Sequence, residues 1–343
     1  MLTDNLRITR THPLISPAVL EEELPLTESA AGVVSAARST IRAILAGRDP
    51  RILVVVGPCS VHDPAAALDY AERLSRLADE VREQIFCVMR VYFEKPRTVI
   101  GWKGLINDPG LDGTYQINRG LRLARRLLVD VAGLGLPAGT EFLDTTFGQY
   151  YTDLVSWGAI GARTVESQIH RELASGLSMP VGIKNRTDGN VQVAVDAIRA
   201  AAHRHLFPSL TKEGAPAILE TSGNPDCHLV LRGGTRPNFD AESVGAAATL
   251  LRDAGLPEVI MVDCSHANSG KDPERQPDAA RAVIAQRMDG NASLRGLMIE
   301  SHLVGGRQDL GGTLRYGQSI TDGCLGFEQT RALLLELCES LAG

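Results

Sequence analysis

Four residues with metal-binding side chains occur at widely separated points of this 343-residue chain: Cys59, His266, Glu300 and Asp322. Taken singly, each has an ordinary alternative as a buried thiol, a loop histidine or a solvated carboxylate. Together, a thiolate, an imidazole and two carboxylates would form a mixed sulfur, nitrogen and oxygen site. Such a donor set is typical of one divalent transition metal ion (Mn, Fe, Co or Zn) rather than of Mg or Ca alone.

Cationic residues form a second set, and most of them follow short apolar runs. They are Arg90, Lys95, Arg97, Arg163, Lys184 and Arg232, with Thr98 adding a hydroxyl donor in the segment EKPRT (94–98). Cations gathered in one concavity repel one another unless an anion shares the space. Guanidinium groups bind phosphate and carboxylate through paired hydrogen bonds. The pattern therefore predicts a pocket for phosphorylated substrates.

The elements that would position these side chains alternate regularly along the chain. Eight apolar runs, each followed by a helical pattern, lie at 52–57, 86–92, 138–142, 159–163, 180–185, 228–233, 259–265 and 296–301. This alternation predicts an α/β protein with a closed parallel TIM (β/α)8 barrel. An open sheet is disfavoured, because the first run ends in Gly57-Pro58-Cys59-Ser60 rather than in a GxGxxG turn. In a barrel the carboxyl ends of the strands build the active site, so the metal donors, the cations and Glu141 are expected at one mouth.

Two segments depart from bare barrel spacing. Residues 1–48 are predicted to form an N-terminal extension, in which 1–26 are an arm outside the core and 27–45 an amphipathic helix. The barrel is expected over 49–343, with an inserted β-hairpin at about 206–224. The helices that follow the eight runs are expected at about 64–83, 114–131, 147–156, 166–175, 191–204, 240–254, 277–289 and 327–341.

The bulk composition excludes several partners. A net charge of -6 and a pI of about 5.8 mean that no global attraction draws nucleic acid or an anionic membrane to the chain. The first residues lack the apolar core of a secretory signal, and the apolar stretch at 52–56 is too short to span a bilayer. The six cysteines include no CxxC pair. We therefore expect reduced thiols and a cytoplasmic protein.

Eight longer motifs carry a family resemblance. They are GPCSVHD (57–63), MRVYFEKPRT (89–98), GWKGLINDP (101–109), ARTVESQ (162–168), HRELASGLSMPVGIKN (170–185), LRGG (231–234), DCSHANS (263–269) and SITDGC (319–324). The chain resembles the class I 3-deoxy-D-arabino-heptulosonate-7-phosphate (DAHP) synthases, and most closely their microbial feedback-regulated isozymes. The resemblance implies a metal-dependent transferase that condenses phosphoenolpyruvate with D-erythrose 4-phosphate and water. The products would be DAHP and phosphate, in the first step of the shikimate pathway to chorismate and the aromatic amino acids.

The resemblance also implies roles for the two residue sets. Cys59, His266, Glu300 and Asp322 look like the metal ligands. The residues implied to hold phosphoenolpyruvate are Arg90, Lys95, Arg163, Lys184 and Arg232. Arg97 and Thr98 match the positions that hold the phosphate of erythrose 4-phosphate, and Glu141 would lie beside the carbon that water attacks. The catalytic residues are expected to be Lys95, Cys59 and His266. Lys95 is the first choice of proton donor to the new alkoxide, with His266 or a water on the metal as alternatives.

A feedback site is the third implication. In this family the N-terminal arm and the inserted hairpin help to form an effector site and oligomer contacts, so we expect an aromatic amino-acid effector and a homodimer or homotetramer. Gly148, Gln149 and Ser178 match the effector region. Gly148 stands where phenylalanine- and tyrosine-sensitive isozymes tend to have proline, which favours tryptophan as the effector, then tyrosine, then phenylalanine. Arg186 stands where the family usually has glycine.

Two other functions remain as alternatives. One is 3-deoxy-D-manno-octulosonate-8-phosphate synthase, which shares the barrel, phosphoenolpyruvate and related metal chemistry. The segment from Lys95 to Thr98 and the long front extension favour DAHP synthase over it. The other is a non-catalytic homologue that binds aromatic amino acids. It predicts the loss of at least one metal or phosphate residue, and all of them are present in this chain.

Overall fold

Eight parallel strands form the centre of the molecule. A computed structural model describes residues 3–97 and 99–343. The barrel strands, in order, are Ile52–Gly57, Ile85–Arg90, Ala138–Glu141, Trp157–Ile160, Val181–Lys184, Cys227–Leu231, Ile260–Asp263 and Leu294–His302. Each pairs with the next, and the first also pairs with the eighth, with Gly57 opposite Glu300. The sheet is therefore closed, which confirms the predicted TIM barrel.

Nine α-helices surround or flank this sheet in the described residues. They are α1 (Pro17–Glu23), α2 (Glu28–Leu45), α3 (Pro64–Val81), α4 (Ile117–Gly133), α5 (Gln168–Gly176), α6 (Gln192–Ala201), α7 (Ala241–Asp253), α8 (Gln276–Met288) and α9 (Phe327–Ala342). Several begin at a side chain that accepts hydrogen bonds from the first turn, as Thr27 does for α2 and Asp240 for α7. Asp63 caps α3 in the same way, shortly after Cys59. This cap fixes where the loop that carries Cys59 ends.

Helix α2 packs against the barrel interior. Its residues Ile41, Ile44 and Leu45 join an apolar cluster with interior side chains, which are Leu53, Val55, Val88, Tyr92, Trp157, Ala159, Val230, Met261 and Met298. Arg42 of the same helix donates to Asp226 at 2.6 Å, just before the sixth strand begins. Burying one large aliphatic side chain contributes about 1.5–3 kcal/mol. The end of the barrel away from the strand tips is thus a packed base.

One predicted helix is wrong. Residues 147–156 form two short 3-10 turns, Phe147–Tyr150 and Thr152–Leu154, separated at Tyr151 (φ -151°, ψ 0°). Gly148 lowers the helical propensity of the segment. The side chains of Phe147, Tyr150 and Tyr151 are all buried. Packing of these aromatic rings therefore overrides a weak helical pattern.

The N-terminal arm also differs from its prediction. Residues 3–14 are exposed, as expected of an arm outside the core. Residues 17–23 instead form α1, and Leu20 of that helix is fully buried. Ser16 accepts a hydrogen bond from the Val19 amide, and Pro17 occupies the first turn, where its missing N–H costs nothing. The Ser-Pro signal was present in the sequence and marks the true start of the first helix.

The inserted hairpin is present. Its strands, Leu206–Leu210 and Pro216–Glu220, pair antiparallel with Phe207 opposite Leu219. The Ala18 amide donates to the carbonyl of Lys212 at 2.7 Å, which attaches α1 to the tip of the hairpin. Two further short strands, Val304–Arg307 and Gln318–Ser319, lie in the loop after the eighth barrel strand. Among the described residues, no helix combines the length and apolar character needed to cross a membrane.

Candidate active site

The strand tips enclose one polar cavity of about 150 Å³. Nine of the residues predicted from the sequence line it: Arg90, Lys95, Arg97, Glu141, Arg163, Lys184, Arg232, His266 and Asp322. Thr98, which was predicted to bind phosphate, lies outside the described residues. Pro96, Gly161, Ala162, Thr187, Lys271 and Thr321 complete the lining. Side chains from seven different strand ends or the loops after them thus meet in a single space.

Three of the predicted metal donors come together beside this cavity. One ligand atom each from Cys59, Glu300 and Asp322 lies within 4.8 Å of the other two. The first and eighth strands pair with Gly57 opposite Glu300, so the loop after the first strand brings Cys59 next to this carboxylate. Cys59 Sγ lies 3.8 Å from Asp322 Oδ2. The cluster combines a soft thiol with two hard carboxylates, which suits a divalent transition metal ion.

His266 borders this group without belonging to it. Its Nε2 atom is 3.8 Å from Glu300 Oε1. Its Nδ1 atom contacts Ser265 Oγ at 2.8 Å and Asp263 Oδ2 at 2.9 Å. The backbone of His266 is in the left-handed region (φ 55°), a conformation that costs a non-glycine residue about 1–3 kcal/mol. This strained turn directs Nε2 towards the carboxylate, where a small movement would bring a fourth donor to the cluster.

Charges around the thiol work in opposite directions. Burial raises the pKa of Cys59, and the charge of Glu300 raises it further, whereas Lys95 lowers it. Lys95 Nζ donates to Cys59 Sγ at 2.9 Å. Burial also acts to raise the pKa of Asp322, but the positive charges of Lys95 and His266 outweigh it and lower that pKa overall. A cation placed among these groups would favour the thiolate, so the donor set fits a metal ion.

The cavity carries more positive than negative charge near its opening. Arg90 is almost fully buried and donates to Glu300 Oε1 at 2.8 Å, with its guanidinium 3.7 Å from the centre of the Tyr92 ring. Arg163 and Arg232 instead donate to the backbone carbonyls of Pro96 and Gly233. Among the described residues neither of these two has an acidic partner within 4.0 Å. Their guanidinium groups are therefore available to a phosphate or carboxylate.

Glu141 reaches the cavity because the residue after the neighbouring fourth strand is a glycine. A β-carbon on Gly161 would lie 2.0 Å from Glu141 Oε1. Any other residue at position 161 would have to displace this carboxylate. Glu141 is buried at the end of the third strand, within the lining of the cationic cavity. It is thus an acid placed among groups that would hold an anionic substrate.

Sequence analysis missed two buried residues that contact the predicted metal donors. Asp263 accepts from Lys184 Nζ at 2.7 Å as well as contacting His266. Gln276 donates to the Glu300 carbonyl at 2.9 Å and accepts from the Glu300 amide at 2.8 Å. Asp263 ends an apolar strand, a position that could have marked it as a site residue. No pattern in the sequence pointed to Gln276, because its role depends on helix α8 lying beside the eighth strand.

Glu94 is a third residue that the sequence analysis missed. Burial raises its pKa to about 8, and its side chain accepts a hydrogen bond from the Asp144 amide at 3.3 Å. Glu94 precedes Lys95 in the loop after the second strand, and Asp144 follows Glu141 in the loop after the third. The contact joins the loop that carries Lys95 and Arg97 to the segment that lines a second cavity.

This second cavity, of about 640 Å³, lies on the side of the barrel. It is lined by the 3-10 turns, by the end of α5 with the start of the loop before the fifth strand, and by the inserted hairpin. All three predicted effector residues, Gly148, Gln149 and Ser178, are in its lining, with Phe207 and Lys212 of the hairpin. Lys212 Nζ donates to the carbonyl of Gln149 and to Glu21 of α1, both at 2.5 Å. The cavity thus combines an apolar wall with charged groups, as an amino acid requires.

Comparison with known proteins gives consistent results. Residues 23–335 match the model of the DAHP synthetase I family. The chain is 55% identical over 340 residues to the Phe-sensitive phospho-2-dehydro-3-deoxyheptonate aldolase of Escherichia coli strain K12, covering 98% of this chain and 97% of that protein. It is 54% identical over 342 residues to the Trp-sensitive enzyme of Enterobacter agglomerans, covering 99% and 98%. The Tyr-sensitive enzyme of Salmonella typhimurium strain LT2 is 51% identical over 343 residues, with coverage of 99% and 96%.

A solved structure agrees with these similarities. The phospho-2-dehydro-3-deoxyheptonate aldolase of Francisella tularensis SCHU S4 superposes with a TM-score of 0.96 and 49% sequence identity. The match covers 97% of this chain and 98% of that one. The fold is therefore shared over nearly the whole length. The chain belongs to the DAHP synthetase I family.

Proposed function

We propose that this chain condenses phosphoenolpyruvate with erythrose 4-phosphate and water to give DAHP and phosphate. The observation that carries the proposal is the single cavity in which unpaired cations face a thiol and carboxylate cluster. Two phosphorylated substrates need such positive charge, which the chain as a whole, with a net charge of -6, does not provide. The family relationship supports the same reaction.

The metal site would be formed by Cys59, His266, Glu300 and Asp322. A divalent transition metal ion held there would supply Lewis acidity towards the aldehyde oxygen of erythrose 4-phosphate. The close approach of Cys59, Glu300 and Asp322 supports this set, as does the position of His266 Nε2 beside Glu300. Which metal the protein uses depends on supply and affinity, and Mn, Fe, Co and Zn all suit these donors.

The cations would bind and orient phosphoenolpyruvate. Arg163 and Arg232 have free guanidinium edges for its phosphate, and Lys184 and Arg90 line the wall behind them. This arrangement would hold carbon 3 towards the aldehyde and favour the near-attack geometry. Arg97, at the outer rim with Thr98, would hold the phosphate of erythrose 4-phosphate. Glu141 would lie beside carbon 2, where water adds.

Lys95 is the proposed proton donor. Its ammonium contacts Cys59 Sγ at 2.9 Å and also lines the cavity, so it lies between the metal donors and the substrates. As carbon 3 attacks the aldehyde, the oxygen gains negative charge and Lys95 could supply a proton to it. The arginines would then stabilise the phosphate that leaves carbon 2. The contact between Lys95 and Cys59 would therefore connect the bound substrates to the metal ligands.

The function is tested by measuring turnover of phosphoenolpyruvate with each of two aldose phosphates, first in metal-free protein and then after a divalent metal is restored. We expect product only after a divalent metal is restored, and with erythrose 4-phosphate strongly preferred over arabinose 5-phosphate. A preference for arabinose 5-phosphate would instead favour the octulosonate synthase alternative. Binding of aromatic amino acids without any turnover would favour the non-catalytic alternative.

We also propose that the 640 Å³ side cavity binds an aromatic amino acid as feedback inhibitor, with tryptophan favoured. Gly148 leaves room in its wall, and the Lys212 ammonium, already bonded to Glu21 and the Gln149 carbonyl, has a third N–H for the carboxylate of the amino acid. Isothermal titration with tryptophan, tyrosine and phenylalanine should give the tightest binding for tryptophan. Equal or tighter binding of phenylalanine would contradict that order.

The exposed arm and the hairpin are the proposed oligomer contacts. Leu6, Ile8 and Leu14 of the arm and Leu206 and Ile218 of the hairpin have exposed side chains. A second copy of the chain would cover these apolar groups and form a homodimer or homotetramer. Sedimentation of the full chain and of a variant lacking residues 1–14 would test this. An unchanged mass for the variant would contradict a role for the arm.

A further inference from the structure

Asp263 lies between the two halves of the candidate active site. It is the last residue of the seventh barrel strand, and its side chain is fully buried. One carboxylate oxygen, Oδ2, is 2.7 Å from Lys184 Nζ and 2.9 Å from His266 Nδ1. The other oxygen, Oδ1, accepts from the amide of Ser265 at 3.0 Å and from its hydroxyl at 2.5 Å. The carboxylate is therefore held rigidly while it contacts a cation of the substrate pocket and an imidazole of the metal group.

We propose that Asp263 is a positioning residue that couples metal binding to phosphoenolpyruvate binding, an inference that rests on the proposed function. A single atom, Oδ2, sets the positions of Lys184 and His266. Replacement of this oxygen should therefore disturb both side chains, and with them the binding of the metal and of phosphoenolpyruvate. Within the described residues, no other side-chain atom contacts both Lys184 and His266.

On the metal side, Asp263 selects the tautomer of the His266 imidazole. When Nδ1–H of His266 donates to Oδ2, the proton is on Nδ1 and the lone pair is on Nε2. Nε2 is the atom that faces Glu300 Oε1 at 3.8 Å. The carboxylate thus keeps the free nitrogen directed at the metal donors, in spite of the strained backbone of His266.

On the substrate side, Asp263 holds the ammonium of Lys184 at the cavity wall. Lys184 lines the cavity, and its contact with Oδ2 uses only one of its three N–H groups. The remaining donors can reach an anion. Glu300 forms a parallel arrangement, because it contacts both Arg90 and His266. His266 therefore lies between two carboxylates, each of which also holds a cation of the substrate pocket.

The test measures two affinities in Asp263→Asn at equilibrium. One is the affinity of metal-free protein for Co²⁺, whose visible spectrum also reports the ligand geometry, and the other is the affinity of the Co²⁺-loaded protein for phosphoenolpyruvate by calorimetry. We expect Co²⁺ to bind about 10–100-fold more weakly, as is usual when a partner of a ligating histidine is removed. Phosphoenolpyruvate should bind about tenfold more weakly, because the ammonium of Lys184 is no longer held at the cavity wall.

A matched variant separates the two branches. Lys184→Met should weaken phosphoenolpyruvate binding but leave the Co²⁺ affinity and spectrum of the protein unchanged. If Asp263→Asn lowered the affinity for only one of the two ligands, or for neither, the proposed coupling would be wrong. An effect of Lys184→Met on Co²⁺ equal to that of Asp263→Asn would also overturn it, because both losses would then be a general disturbance of the site.

A milder variant covers the case in which Asp263→Asn fails to fold. Ser265→Ala removes the hydroxyl that contacts both Oδ1 and His266 Nδ1, without changing any charge. The variant should lower the affinities for Co²⁺ and for phosphoenolpyruvate together, each about threefold, as for the loss of a modest hydrogen bond. No change in either affinity would contradict the proposal. Because these measurements need no turnover, wild-type protein that binds both ligands but fails to form DAHP would contradict the proposed function and leave this inference standing.

Discussion

The two cavities of this molecule are built in different ways. The 150 Å³ cavity at the strand tips is lined mainly by ionisable side chains whose backbones are held by the closed barrel. The 640 Å³ side cavity is lined by a 3-10 segment, loops and an inserted hairpin, and it contains apolar residues such as Phe207 and Leu219. In the first, hydrogen-bonded strands hold the functional groups. In the second, the functional groups lie on surface segments joined by a few contacts, such as the Ala18 amide to the Lys212 carbonyl and Lys212 Nζ to the Gln149 carbonyl.

This difference teaches where the family can vary. A strand tip cannot move without disturbing its two neighbours, so the chemistry of the central cavity is tied to the barrel. The wall of the side cavity consists largely of loops and a hairpin, so we expect it to accept single substitutions more readily. We therefore expect substitutions in one cavity to leave ligand binding in the other largely intact.

The largest effect is expected from Cys59→Ala. Loss of the thiol should lower metal-dependent turnover about a thousandfold or more, since Lewis-acid stabilisation is worth several kcal/mol. Tryptophan binding to the side cavity should stay the same, as measured by calorimetry. Cys338→Ala, which changes a thiol on α9 far from the donors, is the matched control. Normal metal-dependent turnover in Cys59→Ala would show that the proposed ligand set is wrong.

A smaller effect is expected from Arg232→Ala. Burial lowers the pKa of Arg232, and nearby Arg163 opposes its charge further, so an anion would be favoured there. The variant should raise the KM for phosphoenolpyruvate about 10–100-fold, the usual range for a lost charged hydrogen bond. Arg186→Ala is the control, because Arg186 is a rim arginine already paired with Asp188 and Glu166. Equal effects of the two substitutions would argue against specific recognition by Arg232.

Gly148→Ala should act on the other cavity alone. A β-carbon at this position would lie 3.6 Å from Phe142 and Thr152, an ordinary contact, so the fold should tolerate it. The added methyl group should weaken tryptophan inhibition about tenfold, as expected when extra volume enters a fitted site. Turnover without effector should match the wild type. Gly245→Ala on helix α7 serves as the control, and tryptophan inhibition equal to that of the wild type in Gly148→Ala would contradict the proposed effector site.

The smallest effect on either ligand is expected from Glu94→Gln, which instead changes stability. The pKa of Glu94 is about 8 in the folded protein against an ordinary value of 4.5. The folded state thus favours the protonated acid, and this stabilising contribution is present below pH 4.5 and is lost as the pH rises to about 8. Glutamine mimics the protonated form. The variant should be more stable than the wild type at pH 8, by about 2–4 kcal/mol, and the difference should disappear near pH 4.5.

Urea unfolding of metal-free protein at several pH values would check this prediction. Glu83→Gln is the control, because Glu83 lies just before the second barrel strand and the substitution also replaces a carboxyl group with an amide. Gln84→Glu would be unsuitable, because it adds a charge. Glu83 has an exposed side chain, and its substitution should leave the pH dependence unchanged. A difference between Glu94→Gln and wild type that does not vary with pH would mean that folding leaves the pKa of Glu94 unchanged.

Much of the fold could be predicted because its signals are local and repeated. Each barrel strand is a short apolar run followed by an amphipathic helix, and all eight predicted strands are present. The segment 147–156 failed because its weak helical pattern competes with the burial of three aromatic rings. Helix α1 was missed because a short helix has little periodicity, and only its Ser16-Pro17 cap marks it.

The candidate site could be predicted in composition but not in arrangement. Cys59, Glu300 and Asp322 were predicted as neighbours, and their side chains do lie together. Asp263 and Gln276 were missed, because an acid at a strand end or a glutamine in a helix can face many partners. Only the crossing of strands and helices shows which partner each residue meets.

The amino-acid sequence by itself determined the kinds of donors and cations, the order of the strands and the position of the hairpin, because these depend on residue type and on spacing along the chain. The tertiary structure alone decided that one carboxylate oxygen of Asp263 contacts both Lys184 and His266. It also decided that the thiol of Cys59 lies beside the ammonium of Lys95. Such contacts join residues far apart in the chain, and their distances follow from barrel closure rather than from any local pattern.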